Sequence, residues 1–478
     1  MKLFLTFIIT VILINFNSAA NILGFMNVAS PSHSIWNNVL VKGLAERGHN
    51  LTIIISDLPK DSNEIINNVT YFTVEEVYSG INEIVQIKDF FNLPAYKNPI
   101  EFHAYCIKNC EATLNSKEFN KFISTYDRSF KFDLVLYDFV CGPCLLGLLE
   151  YFNYPPLIAI SPFPVLSFGN RFNGNHNYAG YISYFGASLN PVHNIFDRFY
   201  NNFLYLFEAF YRRYIFYRDL DQVARSKHFL KDIKFIGDLE KSVMISLVNT
   251  HPSVTSAQPI PPNVIEVGGL QITDVKPLPK NLENFITSGK KGAILFSLGT
   301  NVRPEDISDE YIDIFFTVIK NFPDYNFMLK FDETKIKLNM PKNLLIKRFF
   351  PQRDILAHPN TKLFITHCGG LSIQESIWHG VPFLGLSLFS DQVKNAKDAV
   401  QRGIAVQVEF FNLTKQTFEY GIREVLENDK YAKNIKLMSK QFRDTPMKPL
   451  ETAIWWIEYI LRHPNSDYLK LKSLQMNY

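Results

Sequence analysis

The stretch from Lys362 to His379 leaves the chain few folds. Lys362-Leu-Phe-Ile-Thr366 is apolar and β-branched, as suits a buried parallel strand; Gly369-Gly370 breaks the pattern, and helical spacing resumes from Ser372 to His379. The predicted order is strand, tight turn, helix. Backbone N–H groups at such a helix start are unpaired and lie at the positive end of the helix dipole, so a diphosphate can be held there without a metal. Ser372 adds a hydroxyl and His367 a ring donor, while Glu375, one turn further on, can accept both hydroxyls of a ribose. Downstream, Asp391 and Gln392 offer acceptors and donors for sugar hydroxyls.

Other segments repeat the alternation. Strands are expected at Ile22–Val28, Leu51–Ser56 and Phe132–Tyr137, with a helix from about Ser34 to Glu46. This is a doubly wound α/β pattern. Pro259-Ile-Pro-Pro262, Gly268-Gly269 and Pro277-Leu-Pro279 interrupt it, and a fresh strand follows at Ala293–Ser297. The expected division is therefore a first Rossmann-like domain over 21–270, a second over 271–445, and a helix and tail over 446–478.

With 478 residues, 47% of them hydrophobic, the chain can bury two cores. Its net charge of +3 is small, and neither a basic block nor basic–aromatic interleaving suggests a nucleic-acid partner. Met1-Lys2, the apolar run Leu3–Ile14 and Ser18-Ala19-Ala20 read as a signal peptide over 1–20, which directs the chain to the endoplasmic reticulum lumen or to secretion. Acceptor sequons stand at Asn50, Asn68 and Asn412. Five cysteines in an oxidising lumen permit one or two bridges and leave at least one thiol free; none has histidine at metal-ligand spacing. The aromatic span Phe196–Tyr217 places Phe199, Phe203, Leu206, Phe207 and Phe210 at helical spacing. Such a stripe can wall an apolar pocket or lie on a membrane surface, although core packing is its commonest use.

The ordered set His367-Cys-Gly369-Gly370, Ser372, Glu375 and Asp391-Gln392 resembles the signature of the UDP-dependent glycosyltransferases, especially animal and insect members. Upstream, Ser297-Leu-Gly299-Thr300 and Phe349-Phe350-Pro351-Gln352 match in the same order. The resemblance implies the GT-B arrangement, two Rossmann-like domains facing across a cleft. It implies that the second domain binds UDP-sugar through Ser297, Gly299, Thr300, Phe349, Gln352, His367, Gly369, Gly370, Ser372, Glu375, Asp391 and Gln392, and that the helix at Glu451–Arg462 packs back on the first. It implies no metal and no cofactor beyond the UDP-sugar co-substrate. Three departures stand out: Phe349 replaces a tryptophan common in the family, Ser387 a proline, and Cys368 the glycine of most animal members. The membrane-spanning helix that animal members carry after the catalytic part is not found in these residues.

His33, in the glycine-free loop expected at Ala29–Trp36, occupies the family's catalytic-histidine position, and Asp138, at the end of its strand, the matching aspartate position. Imidazole titrates near neutrality and suits a general base; a carboxylate behind it fixes the tautomer and stabilises the cation. The expected reaction is inverting, metal-independent transfer of a hexose, with glucose favoured by resemblance, to a hydroxyl of a small lipophilic acceptor. Peripheral membrane contact goes with such an acceptor; the oligomeric state is not legible. Two rival readings remain open: a non-catalytic secreted carrier of the same fold, and a thiol oxidoreductase built on Cys141-Gly-Pro-Cys144.

Overall fold

The computed structural model describes residues 19–58, 66–78, 93–187, 194–255, 257–300, 302, 306–336, 338–388 and 391–476. The apolar leader expected over 1–20 therefore falls almost wholly outside the described residues.

Two parallel sheets organise the chain. The first contains β1 (Asn21–Met26), β2 (Asn50–Ile55), β3 (Val69–Thr73), β4 (Leu134–Asp138), β5 (Leu157–Ser161), β6 (Val243–Val248) and β7 (Val264–Glu266), in the order β3-β2-β1-β4-β5-β6-β7. The second contains β8 (Gly292–Ser297), β9 (Tyr325–Lys330), β10 (Leu344–Lys347), β11 (Thr361–Thr366), β12 (Phe383–Gly385) and β13 (Ala405–Gln407), in the order β10-β9-β8-β11-β12-β13. Every pairing runs parallel, from Asn21 opposite Asn50 to Gly385 opposite Gln407. Parallel strands are covered by helices on both faces, which accounts for wholly buried runs such as Val243–Val248 and Gly292–Ser297. This is the α/β architecture of two doubly wound sheets that the strand–helix alternation predicted.

In each sheet the strand order reverses direction once. β1 sits between β2 and β4, and β8 sits between β9 and β11. Chains leaving adjacent strands on opposite sides open a crevice at that point, and ligands of open α/β sheets bind there. The residues following β1 and β4, and those following β8 and β11, are therefore the ones the topology offers to ligands.

Six helices carry the argument below: α1 (Pro31–Glu46), α2 (Asn98–Asn115), α3 (Ile195–Tyr211), α4 (Gly370–His379), α5 (Asp391–Gln401) and α6 (Pro449–Arg462). Helix α1 starts at Pro31, earlier than the Ser34 expected from periodicity. Proline has its φ preset for the first helical position and lacks only an N–H that would be unpaired there anyway. His33 consequently lies in a first helical turn and not in a loop, its N–H donating to the Ser30 carbonyl at 3.0 Å.

The aromatic stripe departs from its commonest use. Helix α3 buries Asn201, Leu204, Tyr205 and Glu208, while Phe196, Phe199, Phe203, Leu206 and Phe210 are exposed. Periodicity identified two faces but not which one the protein covers. Asn201 decides it in part: its amide donates to the carbonyls of Ala179 and Ile182 at 2.7 Å and accepts from the Tyr184 N–H at 2.8 Å, so the polar side is drawn inward. Two sequon asparagines are also constrained, for Asn50 begins β2 and the Asn68 amide donates to the Ala45 and His49 carbonyls at 2.9 and 2.6 Å.

Helix α6 returns to the first sheet. Its Ala453, Ile454, Ile457 and Ile460 join Trp36, Leu40 and Leu44 of α1 in one buried cluster. Gly43 permits the close approach, since a Cβ there would stand 2.9 Å from Ile454 Cδ1. Arg47–Glu451 and His49–Glu458 contacts border the seam. Ile457 is fully buried, so Ile457→Ala should remove about 2–5 kcal/mol, observed as a lower midpoint of the first domain's unfolding transition in urea.

Candidate functional site

A cleft with a cavity of about 310 Å³ lies between the carboxyl edges of the two sheets. Its first-sheet side includes Ser30, Ser32, Phe163, Asn170, Tyr178, Phe185, Tyr205 and Asn249. Its second-sheet side includes Ser297, Gly299, Thr300, Lys330, Gln352, His367, Gly369, Gly370, Ser372, Glu375, Asp391 and Gln392.

His33 and Asp138 meet although 105 positions separate them, because β1 and β4 are neighbours and both residues follow the same sheet edge. His33 Nδ1 is 2.7 Å from Asp138 Oδ2, and both residues are buried. In the neutral tautomer with its hydrogen on Nδ1, the ring donates to the carboxylate and keeps the lone pair on Nε2. Asp138 Oδ2 also accepts from Asn37 Nδ2 at 3.1 Å, and Oδ1 from the Val140 N–H at 3.3 Å. Phe163, from the cleft wall, meets the imidazole edge-on at 5.3 Å between centroids. The pair sits just behind the cleft surface formed by Ser30, Ser32 and Phe163. Asn37 was missed in the sequence, yet it stands one helical turn beyond His33, a spacing that could have revealed it.

On the facing sheet, β11 passes through His367-Cys368-Gly369 into α4. Gly369 caps α4 in an extended conformation and brings no side chain to the helix start, where the Gly370 N–H donates to the Asp391 carboxylate. The His367 ring is clamped between two glycines: a Cβ at Gly299 or at Gly369 would stand 2.5 Å from it. Gly299, with φ of +85°, also satisfies the left-handed turn after β8. Cys368 adopts φ of +67°, which accounts for the glycine common at this position in the resembled family. Burial, with help from the nearby Lys330 ammonium, lowers the His367 pKa to about 4, so the ring is neutral at pH 7 and offers one N–H without charge. Lys330, at the end of β9, donates to the Gly299 carbonyl at 2.8 Å. No motif pointed to it; only the adjacency of β8 and β9 brings it here.

Glu375 faces the cleft one turn into α4. Gln352 Nε2 donates to Glu375 Oε2 at 2.7 Å and to Ser372 Oγ at 3.2 Å, so Gln352 organises two other candidates. Burial raises the Glu375 pKa to about 7 and that of Asp391 to about 6. Asp391 Oδ2 accepts from Asn395 Nδ2 at 2.7 Å, and Asn395 also donates to the Cys368 carbonyl at 3.1 Å, tying α5 to the glycine turn. Gln392 Oε1 accepts from the Leu388 N–H at 3.0 Å. Ser387 has a role of its own, its hydroxyl accepting from Gln407 Nε2 at 2.9 Å. Phe349 differs from the other candidates: it is 59% exposed and does not line this cavity. No group of three or more His, Cys, Asp or Glu among the described residues is arranged to hold a metal ion.

The cysteines do not form a redox pair at Cys141-Gly-Pro-Cys144. Cys144 is bridged instead to Cys110 of α2, and Cys141 is a buried thiol whose pKa burial drives well above its usual value. A reactive dithiol needs an accessible, acidified thiolate. The oxidoreductase reading fails on both counts.

The Glu375 carboxylate predicts the pH dependence of nucleotide binding. On the expectation that Glu375 accepts ribose hydroxyls, which hydrogen-bond best to the ionised form, UDP affinity in calorimetric titrations should strengthen as pH rises from 6 to 8. Glu375→Gln should weaken binding at pH 8 about tenfold and flatten that dependence.

Known proteins resemble this chain along nearly its whole length. The family model described as "UDP-glucoronosyl and UDP-glucosyl transferase" matches residues 26–477. UDP-glucosyltransferase 2 of Dactylopius coccus is 29% identical over 469 residues, covering 96% of this chain and 87% of that one. Human UDP-glucuronosyltransferase 2B10 is 29% identical over 482 residues, covering 97% and 89%. Among solved structures, the glycosyltransferase of kitacinnamycin superposes with a TM-score of 0.62 at 17% identity, covering 93% of this chain and all of that one. Glycosyltransferase VinC in complex with dTDP does so at 0.60 and 17%, with the same coverage. These structural likenesses establish the fold, GT-B.

Proposed function

Because the chain belongs to the UDP-glucoronosyl and UDP-glucosyl transferase family and is a UDP-glycosyltransferase, we propose that it transfers glucose with inversion to a hydroxyl of a small lipophilic acceptor. The observation that carries the proposal is the buried His33–Asp138 pair at the switch point of one sheet, opposite the open helix start at the switch point of the other. A base and an anion site on facing walls suit a single in-line displacement.

In this reading UDP lies on the second domain. The α4 amides, with the neutral His367 N–H, Ser297 and Thr300, hold the diphosphate; Glu375 takes the ribose; Asp391 and Gln392 take the sugar hydroxyls; Phe349 closes on the uracil. His33 Nε2 removes the acceptor proton as the acceptor oxygen attacks the anomeric carbon. The bond from that carbon to the diphosphate oxygen breaks, and UDP leaves with the electron pair. Asp138 stabilises the imidazolium, while preorganised donors meet the charge growing on the departing diphosphate. The residues supply these functions without a metal or further cofactor.

Support for a lipophilic acceptor comes from the first-sheet wall, where Phe163, Val165, Phe185, Ile182 and Tyr205 surround a few polar groups such as Ser167 and Asn170. Glucose as donor is favoured by the insect relative's name and by Gln392 beside Asp391. The leader-like run Leu3–Ile14 and the Cys110–Cys144 bridge favour an oxidising, secretory compartment.

The primary test is UDP release from UDP-glucose by residues 21–478 with a panel of phenolic and alcoholic acceptors. Wild type should show acceptor-dependent release; His33→Ala and Asp138→Asn should lower kcat by about 10²–10⁴ with UDP affinity retained. A wild type that binds UDP-glucose yet turns over with no acceptor or other UDP-sugar would instead be a carrier.

The α3 stripe supports contact with a membrane surface. Phe196 and Phe199, 81% and 78% exposed, lie on the helix whose Tyr205 lines the cleft, so a lipophilic acceptor could pass from lipid to site along one element. No helix among the described residues is long and apolar enough to cross a membrane. Co-sedimentation with phosphatidylcholine–phosphatidylserine vesicles should fall at least tenfold in Phe196→Ser/Phe199→Ser, with UDP binding unchanged.

A further inference from the structure

Gln374 lies between the cleft-lining Ser372 and Glu375 in sequence, and it bonds to the other domain. It is 3% exposed. Its Oε1 accepts from the Gly269 N–H at 3.1 Å and from Gln271 Nε2 at 3.0 Å, and its Nε2 donates to the Asn249 carbonyl at 3.1 Å. All three partners belong to the segments that follow β6 and β7 of the first sheet. One amide on the donor-side helix therefore bonds two first-domain groups, the Gly269 N–H and the Asn249 carbonyl, together with Gln271 at the start of the segment that leaves that domain.

Asn249 continues the connection toward the base. Its N–H donates to the Ser161 and Phe163 carbonyls at 3.2 and 3.0 Å, and its side chain donates to the Pro162 carbonyl at 2.9 Å while accepting from the Gly269 N–H at 3.1 Å. Phe163 then meets the His33 ring. A Cβ at Gly268 would stand 2.6 Å from the Thr250 carbonyl oxygen, so the first-domain side of the seam has little room to shift. Helix α4 and the loop against His33 are thus joined through buried, hydrogen-bonded groups.

We propose that Gln374 is a positioning residue that locks the helix holding the UDP-sugar to the first-domain loop beside His33, and so sets the distance from the base to the anomeric carbon. The inference rests on the transferase reading above. The donor is held by one domain and the base by the other, and displacement at an anomeric carbon tolerates little error, with about 1 Å of misplacement costing on the order of 10²-fold in rate. Removing the amide also takes the Gln374 donor from the buried Asn249 carbonyl, while the Gly269 N–H keeps Asn249 Oδ1 as acceptor. Gln374 also borders the cavity, but in the transferase reading the α4 contacts to UDP are made by the helix-start amides, Ser372 and Glu375, so the latch should act on rate more than on UDP affinity.

The test uses the full chain carrying Gln374→Leu or Gln271→Leu. For Gln374→Leu, kcat should fall at least thirtyfold, while UDP affinity and the KM for UDP-glucose stay within threefold. Gln271→Leu, which removes one of the three bonds at the junction between the domains, should lower kcat three- to tenfold, and the double variant should be no worse than Gln374→Leu alone. An unchanged kcat would overturn the latch, and so would a parallel loss of UDP affinity, which would mean that Gln374 only maintains the shape of α4. A second readout is independent of turnover: spin labels at Lys121→Cys and Lys433→Cys, both on exposed surfaces of different domains, should give a narrow distance distribution in wild type and a broadened one in Gln374→Leu. An unaltered distribution overturns the latch even in an inactive protein, whereas a wild type lacking all turnover with a broadened variant distribution overturns only the transferase reading.

Discussion

Two parallel sheets present their carboxyl edges to one another, and the rest of the molecule depends on that opposition. A strand order that reverses once opens a crevice, and here each sheet has one, between β1 and β4 and between β8 and β11. The first crevice receives His33 and Asp138; the second receives the glycine turn after β8 and the start of α4. Neither half carries both the proposed base and the proposed anion site. The chemistry is therefore assembled by the seam, which α6 braces from behind through Ile454, Ile457 and Ile460 and which Gln374 crosses near the cleft.

Burial sets the electrostatics of the donor side. It holds His367 neutral and pushes Glu375 and Asp391 into the range where a carboxyl is partly protonated near neutral pH. A pocket in that condition carries less charge when empty than its residue types suggest. In the proposed reading the anionic diphosphate meets oriented amide dipoles and a neutral imidazole, with Lys330 held against Gly299. Preorganised dipoles of this kind need no reorganisation as charge shifts to the leaving group. The opposite wall is the reverse case, with one buried imidazole–carboxylate contact set among aromatic rings.

Much of this was legible because the relevant residues cluster along the chain. The turn from β11 into α4 compresses an imidazole, two glycines, a hydroxyl and a carboxylate into a short run, and their order carried both the fold class and the donor-site assignment. Helix α1 starting at Pro31 was missed because the apolar period begins only after the proline. The α3 stripe showed a different limit: apolar spacing marks an amphipathic helix but is blind to which face finds a partner, and buried Asn201 and Glu208 lie opposite an exposed apolar stripe in place of its commonest use in a core. The Cys141–Cys144 spacing likewise suggested a pair, whereas α2 brought Cys110 against Cys144.

By itself the sequence determined two doubly wound units, the strand–turn–helix that presents unpaired amides, and the residue types able to act as base, anion site and hydroxyl acceptors. Local spacing carries that information because period, glycine turns and helix starts are properties of neighbouring residues. Only the tertiary structure decided that Asn37 supports Asp138, that Lys330 and Gln352 brace the donor site, that Gln374 reaches the first domain, and that Phe196 and Phe199 remain outside. Those outcomes depend on which strands become neighbours and on how two sheets meet, and contacts between residues 20 to 105 positions apart leave no period in the chain.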